Sequence, residues 1–406
     1  MKKSVVALAV LGAFTSAAFA QSSVTLYGRI DQNMTYQDPG NLIGIKGTSG
    51  EKGKSVMKIN DGSVNGIGSS RIGMKGVEDL GSGLKAYFVL EAQVSADTGD
   101  AGNRATQTSS TSFFNREAYV ALGSSSYGDV RLGRLETISR ETNRRVNDVS
   151  GENELTIAES IDKYNNGTAE GSQARPLFQN FGTRIDNAIS YRSPSLGGLQ
   201  GFVTVGLGEN YKLTTVTPVA AGATKTADTF GFEYRGLGAI YNLGPFNASV
   251  SYEELAGART SGGSFDNTVT VGVNYDFGPA TVYVAYQDST NLPSDALSGS
   301  ISSSAPGIAL HKASNADHEA FNLGVKVPLG NFTFKVQYTE SNISGLDTAT
   351  YSVRNGELHQ YKYGGVVSYA FSKRTSIYAL ASARGGDGDQ YFQRKNEYVI
   401  GIGHNF

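Results

Sequence analysis

Cysteine and tryptophan are absent from the chain, and its 406 residues include only four histidines and nine prolines. Without cysteine the fold has no disulfides, so its framework must come from strand pairing. Long apolar runs are also missing after residue 20, so no later segment could cross a membrane as a helix. The chain instead has 51 glycines, 22 tyrosines and 19 phenylalanines. This composition suits short strands, many turns and aromatic girdles at two membrane interfaces.

The first 20 residues have the three parts of a secretion signal. Lys2 and Lys3 form the positive region, residues 5–14 form a short apolar region, and Ala18-Phe19-Ala20 supplies the small residues before a cleavage site. A membrane anchor would need about 18–20 apolar residues, and this run is shorter. We therefore predict that residues 1–20 are a cleaved signal peptide and that residues 21–406 form the mature domain.

Charge and side-chain chemistry exclude several classes of function. Removing two lysines changes the formal net charge from −2 to −4, which indicates neither nucleic acid nor an anionic surface as a partner. No catalytic motif, metal-ligand cluster or phosphate loop accompanies the four histidines. These histidines lie in predicted loops or near strand ends: His311, His318, His359 and His404. We expect no enzymatic activity, no cofactor and no metal.

Period-2 alternation of apolar and polar residues dominates the mature chain. Val269, Val271 and Val273 alternate with Thr268 and Thr270, for example. The same alternation recurs in residues 24–34, 321–327, 332–338 and 398–402. Each such segment predicts a strand with one apolar and one polar face, which fits either a soluble sandwich or a membrane barrel.

The connections between the predicted strands distinguish these two folds. Short turns are predicted at residues 79–83, 123–129, 193–198, 242–245, 278–279, 328–331 and 372–375. Long polar loops are predicted at residues 37–68, 94–113, 136–182, 209–228, 256–266, 289–317, 341–357 and 385–396. Short and long connections alternate strictly, and a sandwich has no reason to place every long loop at one end. The pattern predicts an all-β fold, a sixteen-stranded antiparallel transmembrane β-barrel with short periplasmic turns and long extracellular loops.

The strand number also predicts what fills the barrel. Barrels of eight strands fill their interior with side chains, whereas sixteen to eighteen strands leave a water-filled channel. The inward phase carries Thr, Ser, Asn, Lys, Arg and Asp, which water can solvate. A strand begins at Val24, so we expect no plug domain ahead of the barrel. The sequence therefore predicts passive passage of ions and small hydrophilic solutes.

Several segments resemble a known family over the whole mature length. The most specific one is residues 70–84, SRIGMKGVEDLGSGL, and residues 23–28, 184–191 and 401–406 add SVTLYG, RIDNAISY and GIGHNF. These segments resemble the trimeric general diffusion porins of Gram-negative bacteria, most closely those of β-proteobacteria. The resemblance implies an outer-membrane location, a homotrimer, contacts with membrane lipid and lipopolysaccharide, and Phe406 as the signal for the barrel assembly machinery.

The family also implies a constriction formed by an inserted third loop, here residues 136–182. Residues 143–171 lack the compact, acidic, Gly-rich turn that the family usually has there. Residue by residue, the resemblance implies a basic wall of Arg29, Arg71, Arg116 and Arg184, with Arg134 close by. Alternation independently supports all of the first four except Arg116, which shares its phase with apolar residues. The acids expected to face this wall are Glu136, Glu141, Asp148, Glu152 and Glu154.

Clustered arginines opposite dispersed acids predict a weak anion preference despite the negative net charge. Three alternatives remain open. A sugar-selective channel would show a conductance block that saturates with one solute, and an outer-membrane protease or lipase would hydrolyse a substrate. A secreted adhesin would be soluble without detergent.

Overall fold

A computed structural model of the chain describes residues 23–39, 55–62, 66–101, 113–144, 146–147, 149, 184–207, 232–257, 266–292, 316–345, 356–386 and 394–406. Within these residues the chain forms strands and one short helix. The first strands are β1 (Ser23–Pro39), β2 (Val56–Asp61), β3 (Arg71–Gly81), β4 (Leu84–Ser95), β5 (Asp100–Ala101), β6 (Glu117–Ser124) and β7 (Gly128–Glu136). Helix α1 (Ile138–Asn143) follows. The remaining strands are β8 (Arg184–Arg192), β9 (Leu199–Gly206), β10 (Phe232–Leu243), β11 (Phe246–Gly257), β12 (Asp266–Asp276), β13 (Thr281–Leu292), β14 (Ala316–Leu329), β15 (Phe332–Ser344), β16 (Leu358–Ala370), β17 (Thr375–Gly386) and β18 (Arg394–Asn405).

All these strands belong to one antiparallel sheet that closes on itself. Strand β18 pairs with β1, with Arg29 opposite Asn405, so the described sheet has no free edge at this seam. Two of the strands each share one barrel position with the strand that follows them in the chain. Strand β2 continues the position of β3 along β1, and β5 continues that of β6 along β4. Eighteen strands therefore occupy sixteen positions, and the predicted sixteen-stranded barrel is confirmed.

The chain end closes the barrel through backbone pairing. Phe406 and Gly28 exchange two backbone hydrogen bonds, with N–O distances of 3.0 and 3.1 Å. Phe406 thus lies opposite Gly28, five residues beyond the start of β1. The first residues of β1 extend past the last pair with β18 and pair with β3 instead.

The two faces of the sheet differ as the alternation predicts. On β12, Val269 and Val271 are exposed on the outer face while Thr268 and Thr270 are buried on the inner face. The apolar outer face fits lipid and the polar inner face fits water. Among the described residues, no helix is long and apolar enough to cross a membrane.

Turn chemistry sets the short ends of the barrel. The turn between β3 and β4 consists of Ser82 and Gly83, whose φ angles are +52° and +77°. Two successive residues with positive φ are typical of the tight hairpin turn whose twist matches that of the flanking strands. Each of the seven short turns predicted from the sequence coincides with a connection of two to six residues between described strands.

Candidate pore constriction

The chain after β7 enters the barrel and lies against its inner wall. Helix α1 begins two residues after β7 ends. Ile138 packs there with Phe202 of β9 and Tyr234 of β10, and all three side chains are buried. Because Phe202 and Tyr234 belong to the inner phase of their strands, the described start of residues 136–182 is folded inside the barrel.

A buried carboxylate holds the first turn of α1. Oε1 of Glu253 accepts hydrogen bonds from the backbone N–H of Ser139 at 2.8 Å and from the hydroxyl of Tyr234 at 2.6 Å. The Tyr234 oxygen in turn accepts from the N–H of Ile138 at 2.7 Å. Glu253 is fully buried on β11. These contacts satisfy two backbone N–H groups that the first turn of a helix leaves without a partner.

Amide and hydroxyl side chains attach the next residues to the same wall. The Asn143 side-chain N–H donates to Ser251 at 2.9 Å, and the Ser249 hydroxyl donates to the Asn147 side chain at 2.9 Å. Further round the wall, the Asn322 side chain donates to the backbone oxygen of Asn147 at 2.8 Å. The segment therefore crosses the inner faces of β11, β12 and β14, and we call its described residues, 137–144, 146–147 and 149, the loop strap.

Glu136 is surrounded by arginines at the C-terminal end of β7. Its Oε1 lies 3.1 Å from Arg140, 3.3 Å from Arg144 and 3.7 Å from Arg184. We expected Glu136 to be a loop acid, but it is the last residue of β7 and pairs with Arg184 of β8. Its position on the wall is therefore fixed by the sheet.

A second ion-pair group lies nearer the short turns. Glu141 of α1 accepts from Arg131 at 2.6 Å and lies 3.9 Å from Arg192. Arg192 also donates to Asp129. These contacts join the loop strap to β7 and β8 by charge, whereas the amide contacts join it to β11, β12 and β14 further round the wall.

Three of the expected wall arginines lie close together around Glu91 and Asp31. Arg29 of β1 and Arg71 of β3 are direct cross-strand neighbours. Arg71 lies 3.7 Å from Glu91, and Arg116 donates to the same carboxylate. Arg29 lies 3.2 Å from Asp31, which is fully buried.

Arg116 points inward although its sequence phase suggests otherwise. It lies in the bend just before β6 begins at Glu117, so the alternation of that strand does not govern its side chain. Its backbone N–H donates to the Glu91 carbonyl at 3.1 Å, and this bond turns the side chain toward the interior.

Arg134 is separate from this group. It pairs with Asp186, whose side chain is largely exposed, and donates to the Asn115 carbonyl at 2.9 Å. The ladder between β7 and β8 is irregular after Gly133, and Asn187 has a φ of +52°. These irregularities interrupt the alternation, which accounts for the different placement of Arg134.

Three of the expected loop acids, Asp148, Glu152 and Glu154, lie outside the described residues.

Sequence reasoning also missed interior residues that form ion pairs in the structure. These are Asp31, Glu91, Asp129, Arg131 and Arg192. All five occupy the polar phase of their strands, so charged residues in that phase were a usable signal. Among the described residues, no group of His, Cys, Asp and Glu could hold a metal ion.

Comparison with known proteins identifies the family. A family model described as Gram-negative porin matches residues 7–388. Outer membrane porin protein 32 of Delftia acidovorans is 30% identical over 99% of this chain and 95% of its own length. The chain therefore belongs to the Gram-negative porin family. Porins are channels of the outer membrane, so the predicted function and location are confirmed, and the chain is not an enzyme.

Solved structures have the same fold. The anion-selective porin from Comamonas acidovorans superposes with a TM-score of 0.65 at 22% identity, covering 95% of this chain and 100% of that one. OmpT of Vibrio cholerae, in a form described as a trimer, gives 0.57 at 12% identity, covering 95% of this chain and 99% of that one. At these identities the likeness concerns the barrel fold.

Proposed function

We propose that this porin passes small hydrophilic solutes by general diffusion with a weak preference for anions. Its narrowest part lies between the arginines of β1–β8 and the loop strap. The observation that carries the proposal is that the arginine is the more exposed partner in four interior ion pairs. The exposed fractions of arginine and carboxylate are 12% and 0% in Arg29–Asp31, 19% and 8% in Arg71–Glu91, 25% and 12% in Arg144–Glu136, and 32% and 10% in Arg192–Asp129.

The consequence is a water-facing surface on which positive charge exceeds negative charge by a small amount. The carboxylates are shared, since Glu136 has three arginine neighbours and Glu91 has two. In Arg116–Glu91, Arg131–Glu141 and Arg184–Glu136 the carboxylate is slightly the more exposed partner, which keeps this excess small. An arginine keeps its charge at any physiological pH, and several neighbours can hold its planar group. A fixed charge acts over about 8 Å in physiological salt. The loop strap supports the proposal because it narrows the space that an ion must cross beside these arginines.

The anion preference is kept weak by the carboxylates of the same wall. Glu117, the cross-strand neighbour of Glu91, adds another acid at this height. Inward tyrosines give no support for a sugar-selective channel. Tyr27, Tyr87 and Tyr283 lie on β1, β4 and β13, too far apart around the barrel to form a continuous ladder. The solved porin from Comamonas acidovorans is described as anion-selective, and we infer the same sign here.

Changing Arg71 and Arg184 together to Ser tests the proposal. The double variant should shift the reversal potential in a salt gradient toward cations, because two positive charges leave the wall while Glu91 and Glu136 remain. Single-channel recording in planar bilayers measures both the potential and the conductance.

Arg134→Ser is the matched control, since it also removes an arginine but from a pair outside the interior group. Its reversal potential should stay at the wild-type value. A wild-type channel with strong cation selectivity, or an unchanged potential in the double variant, would contradict the proposal.

We further infer that the chain assembles as a homotrimer in contact with lipid and lipopolysaccharide, and that Phe406 serves the assembly machinery. The aromatic ring of Phe406 lies where a side chain at Gly28 would be, so the terminal residue is packed into the closing seam. Unheated protein should run as a trimer in native electrophoresis and as a monomer after boiling. A monomer band alone before heating would oppose this inference.

A further inference from the structure

Strands β2 and β3 share one barrel position, and the chain that connects them is longer than the gap between them in the sheet. Asp61 lies opposite Gln32 of β1, and Arg71 lies opposite Arg29. The two residues 30 and 31 of β1 therefore face a connection of nine residues, 62–70. So long a connection cannot fit within the sheet and must leave it on one side.

The described part of this connection leaves the sheet toward the interior. Ile67 packs on Val366, Tyr378, Leu380 and Val399, which form a buried cluster on β16, β17 and β18. The side chains adjoining them in these strands point the other way, since Ile377, Tyr398 and Ile400 are exposed on the outer face. Residues 66–70 thus lie across the inner faces of β1 and β18, and we call them the first-loop strap.

Asp31 fixes the base of this strap. The Ser70 hydroxyl lies 3.0 Å from both the backbone nitrogen and the backbone oxygen of Asp31, and the Gly62 N–H donates to that oxygen at 2.7 Å. The hydroxyl of Tyr378 donates to the Asp31 side chain at 2.7 Å. The backbone of Asp31 therefore holds the connection next to both of its ends, at Gly62 and Ser70, while the buried Asp31 carboxylate joins β1 to Tyr378 of β17.

Ile67 lies next to an arginine of the proposed constriction. A Cβ placed on Gly403 of β18 would meet Oδ2 of Asp31 at 2.9 Å, the guanidinium of Arg29 at 3.1 Å and Cδ1 of Ile67 at 3.1 Å. These three groups converge on one point of the inner wall. The loop strap lies on the far side, across β9 to β14.

We propose that the first-loop strap is a second constriction element, and that Ile67 limits the pore from the side facing the loop strap. The proposal rests on the proposed channel function. It assigns to the first long connection a role in setting pore size, and it makes Ile67 an apolar member of a lining that is otherwise charged and polar.

A cysteine at position 67 tests whether this side chain lines the pore, because the native chain has no cysteine to compete. Ile67→Cys should lose conductance when a bulky, water-soluble thiol reagent is added to an open channel. Ile59→Cys is the control: Ile59 lies on β2 in the same barrel position, but it is exposed on the outer face. Its conductance should not respond to the reagent.

Side-chain size gives an independent measurement. Ile67→Ala should raise the single-channel conductance and Ile67→Trp should lower it, each by on the order of tens of per cent, because one side chain is a small part of the perimeter. The reversal potential should stay constant, since no charge changes. Wild-type channels that never open would contradict the channel function itself. Open wild-type channels with no reagent block at position 67 and no size dependence would overturn only the role of the strap.

Discussion

Replacing Glu253 with Ala should detach the first turn of α1 from the barrel wall. The carboxylate accepts from the N–H of Ser139 and from Tyr234, which itself accepts from the N–H of Ile138. All of these groups are buried. Alanine leaves the Ser139 N–H and the Tyr234 hydroxyl without this acceptor in a buried part of the wall.

The size of the effect follows from these contacts. A hydrogen bond to a charged group contributes about 1.5–3 kcal/mol, and an unsatisfied buried donor costs about 1–3 kcal/mol. Water entering the space left by the side chain recovers part of this, so we take about 2–3 kcal/mol for the whole change. Since about 1.4 kcal/mol is a factor of ten, the detached population should rise roughly 30- to 150-fold. The contacts of Asn143 and Asn147 remain and still hold the rest of the loop strap.

Single-channel recording measures the consequence. In Glu253→Ala we expect larger current noise and frequent transitions between conductance levels, because the freed first turn of α1 moves between the wall and the pore. Barrel stability against heat should change little, since the sixteen paired positions of the sheet are untouched. Glu253→Gln is the matched control, because its amide oxygen can still accept from Ser139 and Tyr234. If the current noise of Glu253→Ala channels equalled that of wild type, the contacts of Glu253 would not hold the loop strap, and the reasoning would be refuted.

Two further changes test neighbouring contacts. Asp31→Asn removes the negative charge beside Arg29. A charge 4–8 Å from a passing ion contributes about 0.5–1 kcal/mol in water, so anion permeability relative to cation permeability should rise roughly two- to fivefold. Reversal potentials measure this, and Asp317→Asn is the control because Asp317 is exposed on the outer phase of β14. A shift toward cations would be inconsistent with the proposed constriction. Gly272→Val puts a side chain where the amide of Asn147 lies, so current noise should increase as in the Glu253 variant. Quiet channels in this variant would mean that the strap does not rest on β12.

The barrel was predictable because it rests on local rules. Alternation with period 2 marks each strand, and residues such as Ser82 and Gly83 mark the tight turns. The strict alternation of short and long connections then predicts the number of strands without any knowledge of which strands pair. Antiparallel neighbours joined by short turns also fix most of the pairing, so the closed sheet follows from the sequence.

The interior was less predictable because its partners lie far apart in the chain. Asp31 accepts from Tyr378, 347 residues away, and Glu253 accepts from Ser139, 114 residues away. Alternation predicts that Asp31 and Glu253 point inward, but it does not predict which residues they contact. Arg116 shows a further limit, since a residue just outside a strand does not follow that strand's phase.

The sequence pattern predicts one long loop at residues 37–68, so it does not indicate the first-loop strap. The structure forms strand β2 from residues 56–61 within that range, and the glycines at 62, 66 and 68 are typical of any loop. Only the pairing register, with two residues of β1 opposite nine, reveals that the connection must leave the sheet.

Two inward straps resolve a conflict between barrel size and charge selectivity. Sixteen strands leave a channel wide enough for water, and salt screens a wall charge within about 8 Å. An open bore of that kind would let ions pass down its centre beyond the reach of Arg29 or Arg71. One segment is attached to β9–β14 and another to β1 and β16–β18. Under the proposed constriction, these two segments confine the open path to the arginine-bearing wall. We therefore expect ion selectivity to depend on how firmly Glu253 and Asp31 hold these segments, more than on the net charge of the chain.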